Sequence, residues 1–198
     1  VGLYDCPTII NNVETLAAVV SIVQYGSDWY VEQGTPKSPG RKLFSISGFV
    51  EKPGVYELAL GTPLMDLINN ECGGIKGGKK LKAVIPGGSS VPILTAKEAE
   101  TLNLDYESCV EHGTMLGSGA IIVLDESVSM PHLLQNLAHF YAHESCGQCT
   151  PCREGTHWFH KIMDKLIAGE GKKSDIDLLL DVCKHVSFRT ICALGDAA

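Results

Sequence analysis

The chain has 198 residues, of which 44% are hydrophobic, and it carries a formal net charge of −7 at pH 7. Such a chain can bury a sizeable core in one large domain or two smaller ones. The acidic balance, with no basic patch to offset it, argues against general binding to nucleic acids or anionic membranes. The longest apolar runs are too short to span a bilayer, and no signal peptide is expected.

The cysteines are distributed unevenly along the chain. Of the eight, three fall within seven residues. This pattern is more typical of an intracellular metal site than of a secreted disulfide scaffold. The sequence opens on "VGLYDC" and stops on "GDAA", and we expect it to be a piece of a longer polypeptide.

The first zone, residues 1–41, predicts one helix and a linker. Asn12 is a typical N-cap, and apolar residues recur at helical spacing between Leu16 and Val23. Glycines and prolines at positions 26–40 then predict a loop or linker. A lone amphipathic helix cannot form a domain, so its partner surface is expected elsewhere.

The second zone, residues 42–126, predicts a compact α+β unit. "KLFSISGFV" and "VYELAL" alternate as strands do around an "EKPG" turn, and "LKAVI" and "GAIIVL" supply further strands. Between them, Thr62 is the expected cap of a helix with Pro63 at its first position. The expected architecture is a mixed sheet packed on one helix.

The third zone, residues 127–198, predicts a small helical bundle. Pro131 opens one helix, and Thr150 and Pro151 are the expected N-cap and first residue of a second. Ser174 is the expected cap of a third. The predicted fold class is therefore α+β and multidomain.

The strongest chemical signal is "ESCGQCTPCREGT", in which Cys146, Cys149 and Cys152 are each separated by two residues. Three thiolates from one loop and one from a distant cysteine commonly bind a cubane iron–sulfur cluster. Amides at the start of the following helix, together with Arg153, would face this anionic group favourably. Structural zinc is the main alternative, although four-cysteine zinc sites more often use two separated pairs. Three buried free cysteines are the remaining alternative.

The fourth ligand must come from a distant position. Cys183 shares a predicted apolar helical stripe with Ile176, Leu179 and Leu180, which is the expected place of a core cysteine. Cys192 follows the helical pattern in "RTICALGD", so its sulfur can turn towards a loop-bound centre. We therefore predict Cys192 as the fourth ligand.

The other candidate sites are weaker. Asn11 and Asn12 stand at a helix N-terminus that suits a phosphate or another anion, although capping alone explains them more simply. The glycine clusters match neither a P-loop nor a strand–GxGxxG–helix unit, and the histidines do not gather. The isolated Cys6, Cys72 and Cys109 are expected to pack. No catalytic residue is predicted.

Five stretches, "CPTIINNVETL", "KLFSISGFVEKPGVYE", "AVIPGGSS", "HESCGQCTPCREGT" and "TICALGDAA", occur in this order. Together they resemble the NADH-binding flavoprotein of respiratory complex I, the 51 kDa subunit family of NADH:quinone oxidoreductase. The similarity covers essentially the whole chain. It implies the end of an FMN/NADH-binding domain and linker at 1–41, an SLBB-type β-grasp domain at 42–126, and a helical [4Fe-4S] domain, truncated at its C-terminus, at 127–198.

The resemblance also implies roles for individual residues. The implied cluster ligands agree with those chosen above: Cys146, Cys149, Cys152 and Cys192. Asn11 and Asn12 match family positions that line the FMN site. The groups expected to surround the cluster and tune its potential are Ser145, Gly147, Arg153 and Thr190.

In the full-length family, electrons pass from NADH-reduced FMN through one [4Fe-4S] cluster towards quinone. The glycine-rich segments that grip FMN and NADH have no counterpart here, so this fragment alone is not expected to oxidise NADH. The implied partners are the other peripheral-arm subunits, especially the small [2Fe-2S] subunit. The implied location is peripheral, on the cytoplasmic face of the inner membrane or the mitochondrial matrix side.

Three alternatives remain open from the sequence. The chain could belong to the diaphorase subunit of an NAD-linked hydrogenase or formate dehydrogenase, which shares the cysteine block. From other classes, it could be a zinc-stabilised interaction domain or a β-grasp module that binds a small ligand. The partner proteins, the bound metal and the ligand affinity of the middle zone separate these alternatives.

Overall fold

The computed structural model describes residues 2–198. The chain runs through two N-terminal helices, a sheet unit and a helical unit. The N-terminal helices are α1 (Val13–Tyr25) and α2 (Ser27–Val31). The sheet unit holds β1 (Arg41–Gly48), β2 (Gly54–Ala59), α3 (Leu64–Asp66), β3 (Leu81–Ile85), β4 (Leu94–Thr95), α4 (Ala96–Ala99), α5 (Tyr106–Glu111) and β5 (Ala120–Asp125). The helical unit holds α6 (Met130–Glu144), α7 (Thr150–Ile167), α8 (Lys173–Val186) and α9 (Leu194–Ala197).

The five strands form one mixed sheet in the order β2-β1-β5-β3-β4. β1 and β2 make an antiparallel hairpin, as the "EKPG" turn predicts, and β1 lies parallel to β5 at the centre. β3 pairs antiparallel with both β5 and β4. A central parallel pair needs a long crossover between its strands, and the intervening helices supply it. The mixed sheet predicted from the sequence, with its β-grasp architecture, is confirmed.

The core of the sheet unit lies on one face of the sheet. In β1, Phe44 and Ile46 are buried while Ser45 and Ser47 are exposed, which confirms the predicted alternation there. Leu64 and Leu67 cover this face from α3 and from the π-helical turn Leu67–Glu71 that continues it. The capping prediction for this helix is wrong. Thr62 donates its hydroxyl to the Ala59 carbonyl oxygen (2.7 Å), and the helix begins at Leu64.

The helical unit has a separate core, where α7 packs between α6 and α8. Gly155 of α7 makes the contact with α8 possible, because a Cβ there would lie 2.2 Å from Cγ2 of Val186. The predicted helix starts are each displaced by a residue or two. The N-cap of α7 is Cys149 rather than Thr150, and the N-cap of α8 is Lys172 rather than Ser174.

The Glu14 side chain of α1 is hydrogen-bonded to the sheet unit. Asn12 caps α1, accepting a hydrogen bond from the Glu14 amide (2.8 Å), as predicted. The Glu14 carboxylate accepts hydrogen bonds from Leu43 N–H and Lys42 Nζ, both at 2.8 Å. None of the described residues of α1 is buried. The predicted loop at 26–40 contains the short helix α2, because "SDWYV" forms one more turn after Gly26.

Candidate metal centre

The cysteine triplet lies in the loop between α6 and α7. Gly147 has a φ of +75°, a left-handed conformation that glycine adopts at little cost, and it reverses the chain there. Cys149 is then the N-cap of α7, and Cys152 lies in its first turn. Cys146 is exposed, Cys149 is half-buried and Cys152 is buried. The spacing of two residues thus presents the thiols from before the helix, from its cap and from its first turn.

Cys152 is the most firmly fixed of the three cysteines. Its sulfur lies 3.1 Å from Oγ of Ser145, and that hydroxyl also accepts a hydrogen bond from the Gly147 amide (3.4 Å). Thr156, one turn later on α7, donates its hydroxyl to the Cys152 carbonyl oxygen (2.8 Å) and is fully buried. Sequence reasoning identified Ser145 but missed Thr156. Its position four residues after a candidate ligand, inside a helix, was the available signal.

Arg153 closes the loop over the start of α7. Its Nη1 donates to the Gly147 carbonyl oxygen (2.8 Å) and its Nη2 to Oγ1 of Thr150 (3.3 Å). Its Nε pairs with the neighbouring Glu154 (3.0 Å). In the described structure no side chain caps the first turn of α7. The positive end of the helix dipole and the guanidinium therefore face the loop, which favours an anionic group bound there.

Cys192 lies in the loop between α8 and α9 and is exposed. Thr190 shapes this loop, because its hydroxyl donates to the Cys192 carbonyl oxygen (2.8 Å). Its side chain also packs against Gly195, where a Cβ would lie 2.5 Å from Cγ2 of Thr190. The short helix α9 that follows contacts α7, the helix that begins at the cysteine loop. Cys192 thus lies two residues before a helix that contacts α7.

The prediction that Cys183 packs in the core is wrong. Cys183 is exposed, and so are Ile176 and Leu180 from the same predicted stripe. The face of α8 that packs against α7 instead carries Val182 and Val186. Leu179 of the predicted stripe is partly buried against this core, so the buried stripe of α8 runs through Leu179, Val182 and Val186 and leaves Cys183 outside it. Core packing therefore does not explain Cys183.

The donor set fits an iron–sulfur cluster chemically. All eight cysteines have free thiols. Within residues 2–198, no three cysteine, histidine or carboxylate side chains are grouped so that one ion could be held. A four-iron cluster does not require such a group, since each of its irons takes one thiolate, whereas a four-cysteine zinc site needs all its sulfurs about 2.3 Å from one ion.

The other sequence candidates are placed apart from this loop. Asn12 lines a cavity of about 680 Å³ between α1, α2 and β1, and Asn11 is exposed beside it. Cys72 and Cys109 are buried as predicted, whereas Cys6 is exposed and does not pack. The expectation that no histidines lie together is wrong for one pair, His139 and His160.

Two histidines meet between α6 and α7. The His139 and His160 rings are 4.9 Å apart, and Nε2 of His160 lies 3.2 Å from the Asp164 carboxylate. The pairing was not visible from sequence because it joins two helices.

Two family models match the chain. Residues 132–198 match the NADH-ubiquinone oxidoreductase-F iron-sulfur binding region, and residues 42–123 match the SLBB domain. The first match contains all four predicted cysteine ligands. The second contains all five strands of the sheet except the ends of β1 and β5.

Known proteins resemble the chain over its whole length. It is 51% identical over 198 residues to the F subunit of the NADH-quinone oxidoreductase of Rickettsia bellii (strain OSU 85-389), covering 48% of that protein. It is 48% identical over 198 residues to the F 1 subunit of the NADH-quinone oxidoreductase of Rhizobium meliloti (strain 1021), covering 46% of that protein. The chain thus spans about half the length of the curated relatives it matches.

A solved structure shares the fold. The NAD+-reducing [NiFe]-hydrogenase in the H2-reduced state superposes with a TM-score of 0.86 and 36% sequence identity. The match covers 97% of this chain and 32% of that chain. Over its full length, and in the two regions that the family models match, the chain is therefore homologous to the F subunits of NADH-quinone oxidoreductases.

Proposed function

We propose that this chain binds one [4Fe-4S] cluster through Cys146, Cys149, Cys152 and Cys192 and relays electrons within an NADH:quinone oxidoreductase. The observation that carries the proposal is the cysteine loop itself. It presents three thiols at the positive end of α7, and the Ser145 hydroxyl reaches a ligand sulfur. When bound, the cluster supplies one-electron transfer between reduced FMN and the next acceptor on the way to quinone.

The protein groups around the loop have separate tasks. Ser145 donates a hydrogen bond to the Cys152 sulfur once that sulfur is a thiolate, which cannot donate. Arg153 neutralises charge and holds the loop closed. Thr190 holds the backbone of Cys192. Such groups orient the ligands and tune the reduction potential, although they do not bond to iron.

The flavin side of the reaction lies at the other end of the chain. We propose that Asn11 and Asn12 line the FMN site of the complete subunit, beside the cavity that Asn12 borders. FMN and NADH would be held by the part of the subunit that precedes these residues in the family. Activity as an NADH dehydrogenase is thus proposed for the complete subunit, and the fragment alone is expected to be inactive.

The domain division follows the same assignment. We propose that residues 1–41 end the FMN/NADH-binding domain, 42–126 form the SLBB-type domain, and 127–198 form the cluster domain.

The proposed partners are the other subunits of the peripheral arm, especially the small [2Fe-2S] subunit. The proposed location is the cytoplasmic face of the inner membrane or the matrix side. No helix among residues 2–198 is long and apolar enough to cross a membrane.

A second candidate is favoured by the structural comparison. The NAD+-reducing [NiFe]-hydrogenase shares the fold at a TM-score of 0.86, so the chain could serve the diaphorase part of a related enzyme. The third candidate is the diaphorase subunit of an NAD-linked formate dehydrogenase. Affinity purification of the complete subunit separates these options, because quinone oxidoreductase, hydrogenase or formate dehydrogenase subunits would accompany it.

The proposed cluster is tested by iron and acid-labile sulfide analysis, with EPR spectra after dithionite reduction, on complete subunit prepared without oxygen. About four irons and four sulfides are expected from this chain's cluster. Cys192→Ser should abolish the iron and sulfide content. Cys183→Ser is the matched control, because Cys183 is also exposed and lies three residues from the end of α8, and it should retain that content. Zinc in place of iron after anaerobic reconstitution would contradict the proposal. Equal losses of iron and sulfide in Cys192→Ser and Cys183→Ser would contradict the choice of Cys192 as the fourth ligand.

A further inference from the structure

We infer that Ser89 and Tyr141 form a positioning pair through which the sheet unit sets the geometry of the cysteine loop, and with it the reduction potential of the cluster. The inference rests on the proposed function and adds to it two residues that are not among the proposed ligands. Ser89 follows β3 in the "PGGSS" loop, and Tyr141 lies in the last turn of α6.

The two side chains meet across the junction of the two units. Oγ of Ser89 lies 3.1 Å from the hydroxyl oxygen of Tyr141, and the Tyr141 side chain is buried, with 4% of the residue exposed. Among residues 2–198, this is the one side-chain hydrogen bond from the sheet unit to helices α6–α8, since Lys82 Nζ donates to the Val128 carbonyl oxygen before α6 begins. A buried tyrosine hydroxyl requires a partner, so separating the pair would leave it unsatisfied.

Ser89 stands on a firmly bonded loop. The Gly87 carbonyl oxygen accepts hydrogen bonds from the amide and the hydroxyl of Ser118, at 3.2 and 3.4 Å. The Gly88 carbonyl oxygen accepts one from the Val91 amide (3.2 Å). Ser118 lies just before β5, the central strand of the sheet. The position of the Ser89 hydroxyl is therefore set by the sheet and not by the helices.

From Tyr141 two further bonds lead to a ligand sulfur. The Tyr141 carbonyl oxygen accepts a hydrogen bond from the Ser145 amide (3.1 Å), which ends α6. Oγ of Ser145 then lies 3.1 Å from Sγ of Cys152. A hydrogen bond to a ligand sulfur stabilises the more negative, reduced form of a cluster and so raises its potential. A displaced Tyr141 would move Ser145 and weaken that bond.

The test uses Ser89→Ala and Tyr141→Phe in the complete subunit within its complex. Each variant removes one hydroxyl and keeps the surrounding packing. Both are expected to lower the midpoint potential of the cluster and to change its EPR g-values, with iron content unchanged. The double variant should shift the potential no further than either single variant, because both act through one contact.

Two matched variants serve as controls. Ser89→Thr retains the hydroxyl and should keep the wild-type potential. Ser90→Ala changes the adjacent serine, whose side chain makes no hydrogen bond within the described structure, and should shift nothing. Unchanged potentials and g-values in Ser89→Ala and Tyr141→Phe, or additive shifts in the double variant, would overturn the inference and leave the proposed cluster intact. Wild-type protein without iron and sulfide would overturn both.

Discussion

Nη1 of Arg153 donates a 2.8 Å hydrogen bond to the carbonyl oxygen of Gly147, and this bond closes the cysteine loop against the first turn of α7. The two residues are six positions apart and enclose Cys149 and Cys152 between them. The same guanidinium reaches Oγ1 of Thr150, so it spans the loop in a fork that a lysine cannot reproduce. Replacing Arg153 should therefore loosen the loop without unfolding the bundle.

For Arg153→Ala we expect iron to be released to a chelator about tenfold faster than from the wild type, since about 1.4 kcal/mol corresponds to a factor of ten. The value stays modest because the Arg153 side chain is 44% exposed and its charge is screened. Arg153→Lys should release iron nearly as fast as the alanine variant. The measurement is absorbance loss on adding a chelator to complete subunit.

Lys184→Ala, which removes one exposed cation from α8, is the control for charge alone and should leave the release rate unchanged. A rate for Arg153→Lys equal to that of the wild type would show that charge, and not the forked hydrogen bonds, retains the cluster.

Gly155→Ala should destabilise the helical unit. The added Cβ would lie 2.2 Å from Cγ2 of Val186, so the Val186 side chain or the two helices must shift. Overpacking of this kind costs about 1–3 kcal/mol. Gly54→Ala makes the same substitution where the new Cβ would lie 3.7 Å from the Tyr56 ring, and it should cost much less. Thermal unfolding of both variants checks this, and equal losses of Tm would argue against the close contact.

The cysteine loop could be predicted from sequence because its structure is local. The turn at Gly147 and the contact of Ser145 with Cys152 lie within one short stretch of chain, and the predicted cap of α7 is displaced by only one residue, from Thr150 to Cys149. The strand alternation in β1 was predictable for the same reason, since every second side chain around Phe44 points to the buried face of the sheet.

Features that join distant parts of the chain could not be predicted. The apolar residues of α8 fit more than one stripe, and the stripe that is buried against α7, with Val182 and Val186, leaves Cys183 exposed. Ser89 and Tyr141 are 52 positions apart, and neither has a local partner that marks it. Local periodicity specifies which face of an element is apolar, whereas tertiary contacts decide its final direction.

Two buried thiols should resist alkylation in the native protein. Burial, followed by the negative charge of Asp105, raises the pKa of Cys109 to about 11, and burial likewise raises the pKa of Cys72. At pH 8 about one Cys109 thiol in a thousand is then the reactive thiolate. We expect iodoacetamide to modify the exposed Cys6 and to leave Cys72 and Cys109 intact until the protein is denatured. Peptide mass spectrometry measures this, and early modification of Cys109 would contradict its burial.

Asp125 should make stability depend on pH in the acid range. This fully buried carboxylate ends β5, and its Oδ1 accepts hydrogen bonds from the amide and hydroxyl of Ser127. Nζ of Lys79 lies 3.1 Å from its Oδ2. The Ser127 hydroxyl, and then Lys79, outweigh burial and hold the pKa of Asp125 below its ordinary value of 3.8.

Because the folded pKa is the lower one, the stabilisation is complete well above about pH 4 and is lost as pH falls through the folded value. Asp125→Asn should therefore lower Tm most near neutral pH and progressively less in acid, as the wild-type carboxyl becomes protonated. Melting curves across this range, with the exposed Asp66→Asn as the control for a lost carboxylate, measure the difference. A Tm difference for Asp125→Asn that is constant across the whole range would show that the charge of Asp125 does not contribute.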